Sequence, residues 1–160
     1  MAHARSLEGM LDRLDLTELI HAYCFHFDRA EADAVVALFT EDAVIDYGPD
    51  VQPLHGTPAF GPMIRRGLED LFAATSHHVS NVSITLQDPD VASSVSYVYA
   101  WHRYRQSGEE SELWGQYHHA FRRMPEGWKI SGLVLKATGT RNFHRQTMHP
   151  IGRRLPGGVG

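Results

Sequence analysis

The spacing of apolar residues predicts helices in the first half of the chain. From Leu7 to about Ala30, apolar side chains recur at helical intervals and form one stripe (Leu16, Leu19, Ile20, Tyr23 and Phe27). Glu31–Phe39 predicts a second, short helix that ends at Thr40–Asp42. A third helix is predicted over Pro58–Ala73, with Thr57 as its N-cap.

In the second half the apolar period changes from helical to alternating, which predicts strands. Short turns such as Asp88–Asp90 and Pro125–Gly127 separate them. The predicted strands are Ala43–Tyr47, Ser80–Leu86, Val91–Arg105, Glu112–Met124 and Trp128–Ala137. Helices grouped before antiparallel strands predict an α+β fold, in which the N-terminal helices pack into a curved, mostly antiparallel sheet.

One predicted strand, Val91–Arg105, has two contrasting faces. Its odd positions carry large side chains such as Tyr97 and Trp101, whereas its even positions are small up to His102. The small face indicates either close packing of a helix or an open cavity, and the sequence leaves both possibilities open.

Composition narrows the class of protein. The chain has 160 residues, of which 42% are hydrophobic, and this length and composition predict one globular domain (1–140). The polar C-terminal tail (141–160) is expected to be partly mobile. The formal net charge is −4. The mild negative charge disfavours nucleic acid as a partner. No apolar run is long enough for a membrane span, and residues 1–6 lead into no apolar segment, so a cytoplasmic location is expected. The single Cys24 excludes an intramolecular disulfide.

The chain contains 11 histidines, which raises the question of a metal site. The pairs His77–His78 and His118–His119 are each predicted on a strand, where neighbouring side chains point to opposite faces. Neither pair therefore suits one metal ion, and we expect no metal.

Several segments resemble the SnoaL-like family of the nuclear transport factor 2-like superfamily, over roughly residues 8–137. They are Phe27–Asp33, Leu38–Ala43, His77–Asn81 and the hairpin that runs from Gly115 to Ile130. The resemblance implies a cone-shaped α+β barrel with a deep pocket. The superfamily includes scytalone dehydratase, a bile-acid dehydratase and hexachlorocyclohexane dehydrochlorinase.

The resemblance also implies a catalytic aspartate–histidine pair, which matches Asp28 and His77. Tyr23 resembles a tyrosine of the bile-acid enzyme, and Tyr47 and His102 match a pocket tyrosine and a second histidine of scytalone dehydratase. Arg141 falls near an arginine of the bile-acid enzyme. The last-strand arginine of the dehydrochlorinase is replaced here by Leu133, which disfavours halide elimination.

Two points about the candidate site stay open. Simple alternation places His78, rather than His77, on the face of Val82 and Ile84, unless a β-bulge shifts the strand. Tyr117 and His119 share one face of a strand, where each is either a core residue or a pocket residue that contacts substrate.

The resemblance implies a cofactor-independent lyase or isomerase. In this hypothesis His77, oriented by Asp28, removes a proton from carbon, while Tyr23, Tyr47 or His102 stabilises the oxyanion or protonates a leaving hydroxyl. Dehydration of a small, hydrophobic, cyclic substrate is the first choice, and isomerisation or polyketide-type cyclisation the second. The alternative is a non-catalytic module that binds a ligand or dimerises. A homodimer or higher oligomer, formed through the outer sheet face, is expected in either case.

Overall fold

The computed structural model describes residues 6–152 of the chain. The first helix, α1, runs over Leu7–Asp28, and its Ser6 N-cap accepts a hydrogen bond from the Gly9 amide at 3.1 Å. Leu16, Ile20 and Tyr23 of the predicted stripe are buried, and α1 packs against the sheet. The chain reverses at Ala30, which takes a left-handed φ of 56°, and the short helix α2 follows at Ala32–Ala37.

A single curled sheet forms the second layer, which confirms the predicted cone-shaped α+β fold. In spatial order its main strands are β2 (Leu54–His55), β1 (Phe39–Asp46), β6 (Gly127–Arg141), β5 (Glu110–Met124), β4 (Val91–Tyr104) and β3 (Phe72–Asp88). Strand β1 pairs with β6 in parallel, and the other neighbours in this order are antiparallel. Thr40–Asp42, predicted to end a helix, belong to β1 instead.

The third helix is shorter than its amphipathic pattern predicts. Helix α3 covers Thr57–Arg66, and Gly67–Leu71 continue it as one π-helical turn before β3 begins at Phe72. Gly56, with φ at 79°, takes the N-cap position that the sequence assigned to Thr57. The strand begins early because Phe72 and the residues after it pair with β4, whose hydrogen bonds outweigh local helix propensity.

Sheet curvature depends on irregular positions in the long strands. The register between β5 and β6 shifts at Trp114/Gly115 and again at Ala120/Phe121. A Cβ atom at Gly115 would collide with the carbonyl oxygen of Lys136, so only glycine fits this close approach. The curled sheet wraps a core that it shares with α1 and α3.

After β6 the chain returns across the molecule rather than leaving it. Strand β7 (His149–Pro150) pairs in parallel with β6. The Asp50 carboxylate accepts hydrogen bonds from the amides of Gln146 and Thr147, at 2.6 and 3.0 Å. The domain boundary at residue 140 and the partial mobility of the tail stay predictions, and residues 1–5 and 153–160 lie outside the described part. No helix within residues 6–152 has the length and apolar character to cross a bilayer.

Candidate active site

A cavity of about 420 Å³ opens between the concave face of the sheet and the helices. Its apolar wall includes Phe27, Leu71, Phe72, Leu113 and Leu135. The polar side chains on its lining are those of Tyr23, Tyr47, Asp50, Arg66, His77, His102, Tyr117, His144 and Arg145. The small face of β4 therefore contributes to an open cavity, and Ala100 is part of its wall.

Asp28 and His77 are in direct contact at this cavity. Nδ1 of His77 lies 2.6 Å from Oδ1 of Asp28, and the His77 side chain is only 5% exposed. The same carboxylate accepts hydrogen bonds from the His77 backbone amide and from the Thr75 hydroxyl, each at 2.8 Å. Partial burial raises the pKa of Asp28, but the bonds and charge of His77 and the bond from Thr75 outweigh it, so that pKa is lowered overall.

The ionised carboxylate determines the tautomer of His77. Because ionised Asp28 can only accept, Nδ1 of His77 must carry a proton, and in the neutral imidazole the free lone pair therefore lies on Nε2. Within residues 6–152, no protein group forms a hydrogen bond with Nε2. His77 thus presents a proton acceptor at the wall of the cavity.

A β-bulge explains why His77, and not His78, lines the cavity. The pairing of β3 with β4 steps from Ser80↔Tyr97 to Ser83↔Val95, so β3 contains one extra residue there. Asn81 takes a left-handed φ of 51° at this point. Alternation is therefore shifted by one position across the bulge. His78 lies on the other face, where its Nε2 is 3.1 Å from the Ser76 hydroxyl.

Two tyrosines form a hydroxyl pair in the same cavity. The hydroxyl oxygens of Tyr23 and Tyr47 are 2.7 Å apart, so one hydroxyl donates to the other and the second keeps a proton to donate elsewhere. Burial raises the pKa of Tyr47 to about 12. Burial also raises the pKa of Tyr23 well above its ordinary value, and the nearby hydroxyls of Tyr47 and Tyr117 add to this effect. Both hydroxyls remain protonated donors at neutral pH.

His102 lies next to His77, with its ring centroid 5.4 Å away, and it stacks on Phe72. Burial, reinforced by the nearby His77 and His144, lowers the pKa of His102 to about 3. Its imidazole is therefore neutral at pH 7. It can offer one N–H donor, with a weak contact of 3.5 Å to the Ser111 hydroxyl, but it supplies no positive charge.

Of the three other residues expected to contact substrate, one lines the cavity and two do not. Tyr117 lines the cavity, whereas His119 is buried outside the lining, beside Ser94, with its Nε2 unpaired among the described residues. Arg141 lies away from the cavity: its side chain is 73% exposed and pairs with Glu112 at 2.9 Å. Leu133 is fully buried in the core.

The C-terminal segment contributes to the cavity, which the sequence pattern did not indicate. Phe143, His144 and Arg145 all contribute to the cavity lining, although the segment looked like a polar tail. An aromatic residue in an otherwise polar stretch, Phe143, was the available signal. Within residues 6–152 no three His, Cys, Asp or Glu side chains are grouped as ligands of one metal ion, and the expectation of a metal-free site stays a prediction.

The curled sheet around an internal cavity defines a protein of the nuclear transport factor 2-like fold, a class whose solved members include dehydrochlorinases and proteins provisionally named dehydratases. Within that class the chain belongs to the SnoaL-like family, whose domain model matches residues 8–134.

Individual relatives support the same assignment. An uncharacterized protein of Mycobacterium tuberculosis is 30% identical over 133 residues, which cover 78% of this chain and 84% of that protein. A crystal structure from Novosphingobium aromaticivorans, of a protein provisionally named scytalone dehydratase, is 28% identical with a TM-score of 0.85, covering 92% of this chain and 97% of the other. A hexachlorocyclohexane dehydrochlorinase from Novosphingobium barchaimii shares the fold at 12% identity, with a TM-score of 0.76 and coverage of 92% and 99%.

Proposed function

We propose that this protein is a cofactor-independent lyase that dehydrates a small, hydrophobic, cyclic molecule. The observation that carries the proposal is the contact of 2.6 Å between His77 Nδ1 and Asp28 Oδ1 at the wall of an unfilled cavity. A carboxylate that fixes the tautomer of a histidine also stabilises the imidazolium that forms when the histidine takes a proton.

The reaction begins with the transfer of a proton from carbon to Nε2 of His77. The carbon lies next to a carbonyl group, so the electron pair of the broken C–H bond moves into an enolate. The free hydroxyl of the Tyr23–Tyr47 pair donates a hydrogen bond to the enolate oxygen. The enolate then expels the β-hydroxyl, which leaves as water after it receives the proton from the His77 imidazolium.

The cavity wall favours a ring system as substrate. Phe27 and Phe72 provide aromatic surface close to His77 and His102, and a volume of about 420 Å³ lies within the range of pockets for small organic ligands. The same base would support isomerisation of a ring enone, since that reaction also begins with removal of an α-proton. A non-catalytic module that binds a ligand would use the same cavity, but it would not need the contact between Asp28 and His77.

A bicyclic β-hydroxyketone whose dehydration gives a fluorescent naphthol tests the proposal. We expect turnover by the wild-type protein and a decrease in kcat of about 10²–10⁴-fold in His77→Gln, the usual contribution of a general base. His78→Gln is the matched control, because its side chain lies on the opposite face of the same strand, and it should keep full activity.

Two results would count against the proposal. Full activity in His77→Gln would exclude His77 as the base. A wild-type protein that binds the ketone, but neither eliminates water nor exchanges its α-protons with D2O, would favour the ligand-binding module.

A further inference from the structure

Two arginines on the cavity lining, Arg66 and Arg145, have no hydrogen-bond acceptor among the described residues. Every other arginine within residues 6–152 forms a hydrogen bond or an ion pair with a carboxylate or a backbone carbonyl. The unpaired guanidinium groups therefore occur where a ligand would enter, and not elsewhere in the described part of the chain.

Arg145 is the more enclosed of the two. It is half-buried, and its guanidinium carbon lies 5.6 Å from the centroid of the Tyr47 ring. Its position is fixed by neighbouring contacts, because Asp50 accepts hydrogen bonds from the next two backbone amides and His149 pairs with Asp46 at 2.9 Å. Arg66, at the end of α3, is exposed at the edge of the cavity.

The carboxylates near this cavity are already engaged. Asp50 accepts the amides of the C-terminal segment, Asp46 binds His149 and the Gly48 amide, and Asp28 binds His77 and Thr75. None of the three forms an ion pair with Arg145 or Arg66 among the described residues. The charges of Asp50 and Asp46 attract the Arg145 guanidinium through space, but none of its N–H donors has an acceptor among the described residues. The site is therefore suited to an anion that arrives with the ligand.

We propose that the substrate carries a carboxylate group, which Arg145 binds with help from Arg66 at the edge of the cavity. A planar guanidinium matches a carboxylate through two parallel hydrogen bonds. The proposal rests on the proposed function, and it adds an orientation. The carboxylate lies beside the Tyr47 ring, and the ring system of the substrate extends from there along the apolar wall toward His77.

Binding of naphthoate and naphthamide tests the proposal, since the two differ only in a carboxylate and a neutral amide. We expect naphthoate to bind wild-type protein about tenfold more tightly in calorimetry, the effect of one charge-assisted hydrogen bond. Arg145→Gln should remove this preference and leave naphthamide binding unchanged. Arg145→Lys should restore part of it, and Arg141→Gln, a surface arginine paired with Glu112, should leave both affinities as they are.

Equal affinity of the wild-type protein for the two ligands would overturn the proposal, as would unchanged naphthoate binding in Arg145→Gln. Tighter binding of naphthyl phosphate than of naphthoate would also contradict the proposal, because it would assign the site to a phosphate group instead of a carboxylate. These measurements need no turnover. His77→Gln should retain the preference for naphthoate, so failure of the anion site and failure of the catalytic base can be distinguished.

Discussion

The most direct test of the proposed catalytic pair is Asp28→Asn, which keeps the size of the side chain and removes its charge. The carboxylate accepts three hydrogen bonds, from the ring and the amide of His77 and from the hydroxyl of Thr75. A carboxamide offers one oxygen and one NH2 group in place of two oxygens. If the oxygen stays on the His77 amide, the NH2 group faces Nδ1 and favours the tautomer with the proton on Nε2.

The magnitude follows from the bond that is lost. A hydrogen bond to a charged group contributes about 1.5–3 kcal/mol, and this one strengthens as His77 becomes an imidazolium. Its loss from the transition state corresponds to a decrease in kcat of roughly 10–150-fold. The wrong tautomer adds to this effect because it removes the lone pair that accepts the proton, so we expect a decrease of at least about 10²-fold.

Two measurements together check this reasoning. The kcat for dehydration of the bicyclic β-hydroxyketone gives the catalytic effect, and ¹⁵N NMR of the histidine ring shows which nitrogen carries the proton. Asp33→Asn is the matched control, since Asp33 pairs with Arg65 on the surface. An Asp28→Asn variant with wild-type kcat would refute the role given to Asp28. A proton that stays on Nδ1 in this variant would refute the change of tautomer.

Three further predictions concern stability and assembly. Burial lowers the pKa of His102 and of His119 to about 3, so the unfolded chain binds more protons below pH 6.5. The free energy of unfolding should therefore fall by about 2 kcal/mol per histidine between pH 7 and pH 5. In urea unfolding of His119→Phe this fall should be smaller by the contribution of one histidine. A fall as large as that of the wild-type protein would contradict the lowered pKa of His119. The hydroxyl of Ser96 is buried without a partner among the described residues. Ser96→Ala should therefore leave the free energy of unfolding in urea unchanged or raise it by up to about 1 kcal/mol. A clear loss of stability would show that the hydroxyl is satisfied. Tyr97 and Trp114 are 49% and 40% exposed on the outer sheet face, so Trp114→Glu should convert the proposed dimer into a monomer in light scattering, and a wild-type monomer would contradict the interface.

The sequence predicted the order of the elements and most of their positions, because α1 and the long strands of the sheet have clear apolar periods. It was wrong where tertiary pairing overrides local preference. Phe72 and the alanines after it suit a helix, but they pair with β4. Thr40 and Asp42 look like helix-ending residues, but they lie within β1, in the irregular stretch between its first pair with β6 at Phe39 and the next at Val44. Arg122 pairs with Asp42 there at 2.6 Å.

The candidate site was predictable in part. Contact between Asp28 and His77 was expected from the family resemblance and not from local alternation, which favoured His78. Arg145 was missed because no periodicity marks a segment that is held by backbone hydrogen bonds to Asp50. Arg141 was chosen instead, four positions earlier, since sequence distance alone cannot show which arginine faces the cavity.

The bulge at Asn81 has a consequence for how this strand can change. On one side of it β3 positions His77 beside Asp28, and on the other side it directs Val82 and Ile84 toward the core. Deletion of Asn81 would rotate one half of the strand relative to the other. The chain could then keep either the proposed catalytic pair or its aliphatic contacts, so one residue with no part in the proposed chemistry makes both compatible on a single strand.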